Sequence, residues 1–237
     1  MNLSLVVPCY NEEGNVKNLI EKCEKFLSNQ KHELILVNNG STDNTEKKID
    51  EFLNIPNIKK VNVNSNKGFG YGVLQGLLAA SGDILSYTHA DNQTDPNDVL
   101  KGLELLKDKN NSNFLIKGNR IDKIKHNWTL FELFVTYAMT IFETILFQKL
   151  LYDIHGQPVI FHKNFLKIWK SSPNDMALDL YVYYLAVINK YKIIRFPVKF
   201  DKKNRLTGRG NTDALTKIFK EMILQIISSI ILRFNIK

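Results

Sequence analysis

Hydrophobic residues along the chain follow two spacings that alternate. Short continuous apolar runs of strand length are bounded by turn residues, and most precede a stretch whose apolar residues recur every three or four positions. The first pattern predicts strands over residues 2–7, 33–37, 58–63, 84–88, 113–117, 159–162 and 192–198. The second predicts helices over residues 16–27, 45–53, 72–80, 128–151, 176–189 and 216–234. This alternation predicts an α/β fold, with a mostly parallel, Rossmann-like sheet covered by helices on both faces and further apolar or amphipathic helices in the C-terminal half.

The stretch over residues 82–96 joins a predicted strand to a cluster of polar residues. His89, Asp91 and Gln93 alternate, so an extended chain would turn an imidazole, a carboxylate and an amide carbonyl to one side. Open α/β sheets bind ligands at the carboxyl ends of their strands, and a divalent ion that also holds phosphate oxygens suits such a trio. The same residues are typical of a loop that only caps the helix beginning near Pro96, so both interpretations stay open.

Two further loops have the composition of ligand-binding segments. Residues 66–72 contain three glycines, which would let the backbone approach a ligand closely or would form a plain tight turn. Residues 199–209 contain five lysine and arginine residues in a glycine-ended loop, suited to gripping phosphate or to solvation. For each loop, both alternatives stay open.

Composition and charge narrow the choice of partners. The chain has 237 residues, of which 44% are hydrophobic, enough for one domain with a sizeable core. Its net charge of +8 favours an anionic partner, such as nucleic acid, a membrane surface or a phosphorylated substrate. Because no nucleic-acid motif is present and the basic residues gather in one loop, we expect no nucleic-acid partner.

Cys9 and Cys23 lack C-x-x-C spacing, which predicts reduced thiols in a cytosolic setting and no structural zinc.

The apolar pattern predicts neither a signal peptide nor a membrane span. Residues 2–7 lack the basic flank of a signal peptide. The apolar stretch over residues 128–151 is interrupted by Glu132 and Glu143, and the one over 222–232 is shorter than the roughly 20 residues that a bilayer requires. The C-terminal apolar stripe either packs on the core or lies in a membrane interface.

Short motifs lie in the loops around the predicted strands. They are VVPCYNEE at residues 6–13, NGSTD at 39–43, NKG at 66–68, GD at 82–83, ADNQ at 90–93, DIHG at 153–156, PV at 197–198 and RLTG at 205–208. In this order they resemble the VVPxYNEE, DGSTD, NxG, GD, DADxQ, DxxG, PVxF and RxxG motifs of the family-2 glycosyltransferases. The chain looks most like the dolichol-phosphate mannose synthase branch, which has the GT-A fold, and the match spans nearly the whole chain.

The resemblance implies roles for particular residues. Those that would hold the nucleotide sugar are Pro8, Tyr10, Glu12, Asn39, Lys67, Gly68, Asp91 and Arg205. Asp91 and Gln93 would bind a divalent cation, Mn²⁺ or Mg²⁺, on the diphosphate, with His89 as a further candidate ligand. Arg205 would also act in catalysis, because cleavage of a nucleoside diphosphate sugar develops negative charge on the leaving phosphate.

Three residues depart from the family pattern. His89 replaces the first aspartate of the metal motif, so the site loses one negative charge and suits Mn²⁺ better than Mg²⁺. Asn39 replaces an aspartate that accepts a hydrogen bond from the base, and its neutral amide, which both donates and accepts, favours uracil and hence a UDP-sugar. Val159 replaces an arginine of the mannose synthases, so a lipid-phosphate acceptor is less firmly implied.

The resemblance predicts an inverting glycosyltransferase that moves a sugar from a nucleoside diphosphate sugar to a membrane-associated acceptor. That acceptor is a polyprenyl phosphate, which needs no base, or a group such as a lipid-linked glycan, whose hydroxyl needs a base, for which Asp179 is the candidate. Residues 1–120 would bind the donor and 121–213 the acceptor, while the amphipathic helix at 214–237 would hold the protein peripherally at the cytosolic face. The alternative is a nucleotide-binding protein of this fold that has lost catalysis, because His89 and Asn39 alter central positions.

Overall fold

A computed structural model describes residues 1–106, 111–204 and 215–236. These residues form a seven-stranded sheet with helices packed against it. The strands are β1 (Leu3–Cys9), β2 (Glu33–Asn39), β3 (Ile58–Val63), β4 (Ile84–Tyr87), β5 (Phe114–Ile121), β6 (Val159–His162) and β7 (Lys192–Lys199). The helices are α1 (Val16–Lys22), α2 (Glu24–Leu27), α3 (Thr45–Asp50), α4 (Phe69–Ala79), α5 (Asp98–Glu104), α6 (Leu130–Phe147), α7 (Leu178–Ile188) and α8 (Leu215–Asn235).

The strand order across the sheet is β3-β2-β1-β4-β6-β5-β7. The pairs among β1, β2, β3 and β4 are parallel, and so is the pair of β5 and β7. Strand β6 runs antiparallel to both of its neighbours, β4 and β5. The predicted mostly parallel α/β sheet is therefore confirmed. The direction of β6 was not predictable, because an apolar run has the same spacing whichever way the strand runs.

Helices cover both faces of the sheet, as predicted. Successive side chains of β1 enter different hydrophobic clusters, with Leu5 in one and Val6 in the other, as strand pleating requires. The cluster of Leu5 includes residues of α1, α2, α3 and α5, whereas that of Val6 includes residues of α4, α6, α7 and α8. Because β1, β2 and β4 run in the same direction, their carboxyl ends meet at one edge of the sheet. The loops that follow these strands therefore lie side by side.

The bounds of the helices differ from the predicted ones by a few residues, and for two of the helices the structure shows the reason. The helix predicted over residues 16–27 divides into α1 and α2 at Cys23, where ψ is 2° and the regular helical turn is lost. The long apolar helix is α6, which begins later and ends earlier than predicted. Thr129 and Glu132 form a capping box before its first turn, and Gln148 ends it in a left-handed conformation with φ of 54°.

Helices α6 and α8 lie side by side and run in the same direction. Phe131 contacts Phe219 with ring centroids 5.4 Å apart. Further along, Glu143 accepts hydrogen bonds from Gln225 (2.9 Å) and Ser229 (3.1 Å). The C-terminal stripe therefore packs partly on the protein, but many apolar side chains of both helices are exposed. They are Leu130, Phe134, Tyr137, Ile141 and Ile145 on α6, and Phe219, Ile223, Leu224, Ile227, Ile230, Ile231 and Phe234 on α8.

Helix α6 is long and apolar enough to cross a membrane, judged by length and composition alone, and is the only such helix within the described ranges. Only 11% of its 18 residues are buried. The two glutamates expected to interrupt it have local roles, since Glu132 caps the first turn and Glu143 is buried against α8. By length and composition, the two glutamates therefore do not exclude a segment that could span a membrane, and that expectation is wrong.

Candidate functional site

The loops that follow β1 and β2 are joined at the carboxyl edge of the sheet. The backbone N–H of Thr42 donates to Asn11 Oδ1 (2.8 Å), and the backbone N–H of Glu12 donates to Thr45 Oγ1 (2.7 Å). Asn11 has a left-handed backbone with φ of 54°, which asparagine tolerates better than most residues. The two loops therefore form one connected polar surface.

Asn39, at the end of β2, makes a hydrogen bond through its amide nitrogen but not through its amide oxygen. Its Nδ2 donates to the carbonyl oxygen of Gly68 (3.0 Å), and this contact fixes the amide orientation because a carbonyl can only accept. Its Oδ1 is buried and has no hydrogen-bond partner in the described part of the chain. A buried oxygen without a donor is unfavourable, so Asn39 can accept a hydrogen bond from an N–H group of a ligand.

Gly68 holds a backbone conformation that other residues rarely adopt, with φ of 112°. A Cβ atom at this position would collide with the carbonyl oxygen of Asn174. The same carbonyl accepts a hydrogen bond from the backbone N–H of Tyr71 (3.1 Å). Glycine is therefore required here by the approach of another segment of the chain. The neighbouring Lys67 is exposed, with its Nζ 4.9 Å from the centroid of the Tyr71 ring.

The other residues predicted to hold the nucleotide lie on the loop after β1. Pro8 is buried, Tyr10 is half-buried and Glu12 is buried. Glu12 Oε2 accepts a hydrogen bond from Asn15 Nδ2, so one oxygen of this carboxylate already serves the start of α1. The nucleotide-binding roles of Pro8, Tyr10 and Glu12 stay predictions.

The loop after β4 is not extended, contrary to the assumption behind the alternating trio. Asn92 adopts a left-handed conformation with φ of 62°. Asp91 Oδ1 accepts a hydrogen bond from the backbone N–H of Gln93 (3.1 Å), an arrangement that stabilises turns. Strand alternation therefore does not align the side chains of His89, Asp91 and Gln93. Asp91 therefore supports its own turn, whereas the N-cap of α5 is Asn97, which makes no side-chain capping hydrogen bond.

His89 and Asp91 are nevertheless close enough to interact electrostatically. Burial lowers the pKa of His89 and the Asp91 carboxylate opposes that shift, so the imidazole is neutral at pH 7 and able to ligate a metal. Within the described residues, no three His, Cys, Asp or Glu side chains are grouped to hold an ion. One carboxylate, one imidazole and the Gln93 amide fit an ion that completes its coordination with substrate phosphates and water. Their assignment as ligands stays a prediction.

We predict that His89→Asp shifts the metal preference towards Mg²⁺. A second carboxylate would replace an imidazole nitrogen with a hard anionic oxygen, which Mg²⁺ prefers. The ratio of the transfer rate in Mg²⁺ to that in Mn²⁺ should rise severalfold over the wild-type ratio, whereas His89→Asn, which adds no charge, should not raise it. If the ratio is the same in His89→Asp and wild type, His89 is not a ligand.

A buried cluster of charges lies at the carboxyl end of β5. Asp153 Oδ1 accepts from Arg120 Nε (2.7 Å) and pairs with Arg120 Nη2 (2.6 Å), while Lys123 and Arg195 each lie 3.6 Å from the same carboxylate. Burial alone would raise the pKa of Asp153, but Arg120 and Lys123 overcome it and lower that pKa to about 2. The Arg120 guanidinium also lies over the Trp128 ring at 4.9 Å. This cluster fixes the loop over residues 153–156 against β5.

Asp179 lies at the centre of a second buried network. Its carboxylate accepts hydrogen bonds from the Tyr87 hydroxyl (2.8 Å) and Gln157 Nε2 (3.3 Å), and it lies 3.1 Å from His155 Nδ1. Burial would raise the pKa of Asp179, but Lys117 and His155 hold it well below its usual range. Burial also lowers the pKa of Lys117 to about 7, and its Nζ donates to the Gly156 carbonyl (2.8 Å). The role of Asp179 as a base stays a prediction.

A cavity of about 670 Å³ opens beside this network, between α6, α8 and the loop over residues 153–156. Its lining includes Arg120, Glu143, Asp153, His155, Met176 and Gln225. A second cavity of about 580 Å³ shares Arg120 and Asp153 with the first and adds Lys123 and Lys125. Tyr87, the last residue of β4, donates to Asp179, which lies 3.1 Å from His155 in the wall of the larger cavity, so that cavity is a neighbour of the loop after β4.

The sequence did not indicate several of these residues as functional. Arg120, Lys117 and Arg195 were not predicted, although Arg120 follows Gly118 at the carboxyl end of a strand, where ligand-binding residues are expected. Arg205 and the rest of its RLTG motif lie outside the described residues, so the roles predicted for Arg205 stay predictions.

Residues 4–169, more than half of the chain, match the model of the Glycosyl transferase family 2. The chain therefore belongs to glycosyl transferase family 2, and the resemblance inferred from its motifs is confirmed. The dolichol-phosphate mannosyltransferase of Pyrococcus furiosus is 29% identical over 136 residues, which cover 55% of this chain and 37% of that protein. The undecaprenyl-phosphate 4-deoxy-4-formamido-L-arabinose transferase of Proteus mirabilis is 34% identical over 101 residues, covering 41% and 31%. The matched part spans about a third of each relative.

Among solved structures, the glucosyl-3-phosphoglycerate synthase of Mycobacterium tuberculosis superposes with a TM-score of 0.71. Its sequence identity is 19%, and the alignment covers 100% of this chain and 79% of that one. That enzyme was crystallised with Mn²⁺, uridine diphosphate and phosphoglyceric acid. The likeness confirms the predicted GT-A fold.

Proposed function

We propose that this protein is a metal-dependent, inverting glycosyltransferase. It transfers a sugar from a nucleoside diphosphate sugar to a membrane-associated acceptor, such as a polyprenyl phosphate or a lipid-linked glycan. The observation that carries the proposal is the adjacency of the carboxyl end of β4 to the larger cavity, since Tyr87 donates to Asp179 and Asp179 lies 3.1 Å from His155, which lines that cavity. A donor at this loop and an acceptor in the cavity would therefore meet. Both curated relatives are named for transfer to a polyprenyl phosphate, which supports that acceptor.

The donor lies at the carboxyl edge of the sheet in this proposal. Asp91, with His89 and Gln93, holds the divalent cation, and a bound Mn²⁺ or Mg²⁺ ion offsets the negative charge that develops on the leaving diphosphate. Arg205 supports the same phosphate. The nucleotide is held by Pro8, Tyr10, Glu12, Asn39, Lys67 and Gly68. Residues 1–120 thus form the donor half and 121–213 the acceptor half.

Asn39 supports a UDP-sugar as the donor. One N–H of its Nδ2 donates to the Gly68 carbonyl, and its unpaired Oδ1 remains to accept a hydrogen bond from a base. Uracil presents one donor, N3–H, between two carbonyl groups, so a single acceptor suits it. Guanine presents N1–H and N2–H side by side and would require two acceptors.

We predict that Asn39→Asp weakens UDP binding. Aspartate keeps one oxygen for uracil but places an anionic oxygen against the Gly68 carbonyl, which Nδ2 now contacts at 3.0 Å. Loss of that hydrogen bond and the new repulsion should reduce UDP affinity by roughly 5-fold to 150-fold, with GDP affinity reduced less. Calorimetric titration of both nucleotides into both proteins measures this change.

Asn38→Asp is the matched control for this substitution. Asn38 Oδ1 accepts from the backbone N–H of Ser41 (3.2 Å), and aspartate keeps that acceptor, so UDP affinity should change little. An unchanged ratio of UDP to GDP affinity in Asn39→Asp would show that Asn39 does not read the base, and so would a preference of the wild type for GDP.

The exposed apolar residues of α6 and α8 support peripheral attachment at the cytosolic face of a membrane. Leu130, Phe134 and Ile145 on α6 are 79%, 68% and 71% exposed and follow one side of the helix at helical spacing. The net charge of +8 favours an anionic lipid surface. Attachment there would bring the cavity between the two helices to the membrane, where a lipid-linked acceptor resides.

A donor panel separates this proposal from a nucleotide-binding protein without catalysis. Thermal unfolding is measured with UDP-, GDP-, CDP- and dTDP-sugars in Mn²⁺ or Mg²⁺, because binding to the folded state raises the unfolding temperature. We expect a UDP-sugar to raise the unfolding temperature most. We also expect slow metal-dependent hydrolysis of the same UDP-sugar. Stabilisation without hydrolysis or transfer would favour the inactive alternative, and no stabilisation by any nucleotide sugar would contradict both.

A further inference from the structure

His155 and Asp179 form a hydrogen-bonded pair at the wall of the larger cavity. His155 Nδ1 lies 3.1 Å from Asp179 Oδ2. The side chain of Asp179 is fully buried, whereas 29% of the His155 side chain is exposed. His155 lines the cavity and Asp179 does not. A molecule bound in the cavity can therefore touch the imidazole but not the carboxylate.

The surroundings of Asp179 determine which nitrogen of His155 faces the cavity. Tyr87 and Gln157 donate hydrogen bonds to the carboxylate, which keeps it fixed and ionised. An ionised carboxylate can only accept, so His155 Nδ1 carries a proton and donates to it. Nε2, on the opposite edge of the ring, is then the nitrogen available on the exposed side.

We propose that His155 Nε2 hydrogen-bonds to the phosphate of a polyprenyl phosphate acceptor and shares its last proton, while Asp179 acts as a positioning residue. This inference rests on the proposed function. It replaces direct contact between Asp179 and the acceptor with contact through His155. In this arrangement the phosphate of the acceptor lies at His155, and its lipid chain lies between α6 and α8.

The proton on the acceptor follows from ordinary phosphate chemistry, because a phosphate monoester loses its second proton near pH 6. If the acceptor binds as the monoanion, its P–O–H proton passes to His155 Nε2. The phosphate oxygen then forms a bond to the sugar C1, the bond from C1 to the diphosphate oxygen breaks, and its electron pair leaves with the nucleoside diphosphate. If the acceptor binds as the dianion, the protonated imidazole donates to it and the buried Asp179 carboxylate offsets the imidazolium charge.

Charged groups on every surrounding element lie around His155 or line the cavity beside it. They are Asp179 on α7, Lys117 and Arg120 on β5, Glu143 on α6, Glu221 on α8, His89 after β4, and Asp153 and Asp175 in loops. Carboxylates at Glu143, Glu221 and Asp175 repel an anion in the cavity. The His155 donor and the Arg120 guanidinium therefore mark the end of the cavity where a phosphate is favoured.

Histidine NMR of the whole protein tests the pair without needing the sugar to be known. The protein is labelled with ¹⁵N at histidine, held with UDP and Mg²⁺, and titrated with farnesyl phosphate, farnesol or inorganic phosphate. The His155 signals are those missing from His155→Gln. We expect farnesyl phosphate to shift them and farnesol and inorganic phosphate to leave them nearly unchanged. Asp179→Asn should change the same signals before any ligand is added, because the partner of Nδ1 has lost its charge.

Affinity measurements on the variants complete the test. His155→Gln should bind farnesyl phosphate roughly 10-fold to 100-fold more weakly and keep its UDP affinity. His162→Gln is the matched control, since His162 pairs with Ile84 at the opposite end of β4 and should not affect either ligand.

The outcomes separate this inference from the proposed function. If wild type binds farnesyl phosphate but the His155 signals do not move and His155→Gln binds it equally well, the pair does not contact the acceptor. If inorganic phosphate shifts the signals as strongly as farnesyl phosphate, the site binds free anions and the assignment to a lipid phosphate is wrong. If wild type binds UDP but not farnesyl phosphate, the polyprenyl phosphate acceptor itself is wrong, and the inference falls with it.

Discussion

Asp91→Ala should reduce the rate of sugar transfer by about 100-fold to 1000-fold. This is the range seen when one group that stabilises transition-state charge is removed. Asp91 supplies the carboxylate of the His89, Asp91 and Gln93 set, so the variant loses the anionic ligand for the cation. The fold should stay intact, because Asp91 lies in the loop after β4, outside the paired residues of that strand. Transfer rates at saturating donor, with circular dichroism of both proteins, measure the effect.

Two controls separate the metal role of Asp91 from its role in the turn. Asp91→Asn keeps an oxygen for the backbone N–H of Gln93 but removes the charge, so it should be nearly as inactive as Asp91→Ala. Asp95→Ala removes an exposed carboxylate of the same loop, which accepts from the backbone N–H of Asn97, and should keep most activity. Near-normal activity in Asp91→Asn would mean that Asp91 only stabilises the turn.

Asp153→Ala should lower the free energy of unfolding by about 3–5 kcal/mol at pH 7, because it leaves buried positive charges without their partner. Arg120 and Arg195 are both largely buried and both lie against this carboxylate. Urea unfolding of the two proteins measures the difference. Asp83→Ala is the surface control, because Asp83 pairs with Lys163 in solvent and such pairs contribute at most about 1 kcal/mol.

The pH dependence of this stabilisation has a definite sign. The pKa of Asp153 is about 2 in the folded protein, below the value of about 3.9 for an aspartate in an unfolded chain. Its contribution is therefore fully present above about pH 4 and is lost as the pH falls towards 2. The difference in unfolding free energy between wild type and Asp153→Ala should shrink over this interval. A difference that stays constant from pH 7 to pH 2.5 would contradict the charged cluster.

The sequence predicted the elements of this fold well because each depends on a local spacing. Apolar runs located the strands of the sheet, and their order with the helices predicted helices on both faces. The orientation of β6 was not accessible, since apolar spacing carries no direction. The assumed extended chain after β4 was wrong because Asn92 takes a left-handed conformation that its neighbours in sequence do not reveal.

The site was predictable where its residues belong to short motifs and not where they meet through the fold. Asn39 and Asp91 were indicated by loops at strand ends. His155 and Asp179 are 24 positions apart, and only the approach of α7 to the loop after α6 brings them within 3.1 Å. Arg120 and Asp153 are separated by 33 positions and meet through β5 and the same loop. Long-range contacts of this kind leave no periodic signal in the sequence.

Transfer to lipid tests the central claim most directly. The wild-type protein is incubated with radiolabelled UDP-sugars, Mn²⁺ and vesicles that contain undecaprenyl phosphate, and the organic phase is assayed for labelled lipid. We predict that a UDP-sugar yields a lipid-linked sugar, that chelation of the metal abolishes the product, and that vesicles without undecaprenyl phosphate yield none. Absence of labelled lipid with every UDP-sugar, when a GDP-sugar or another acceptor supports transfer under the same conditions, would contradict this account.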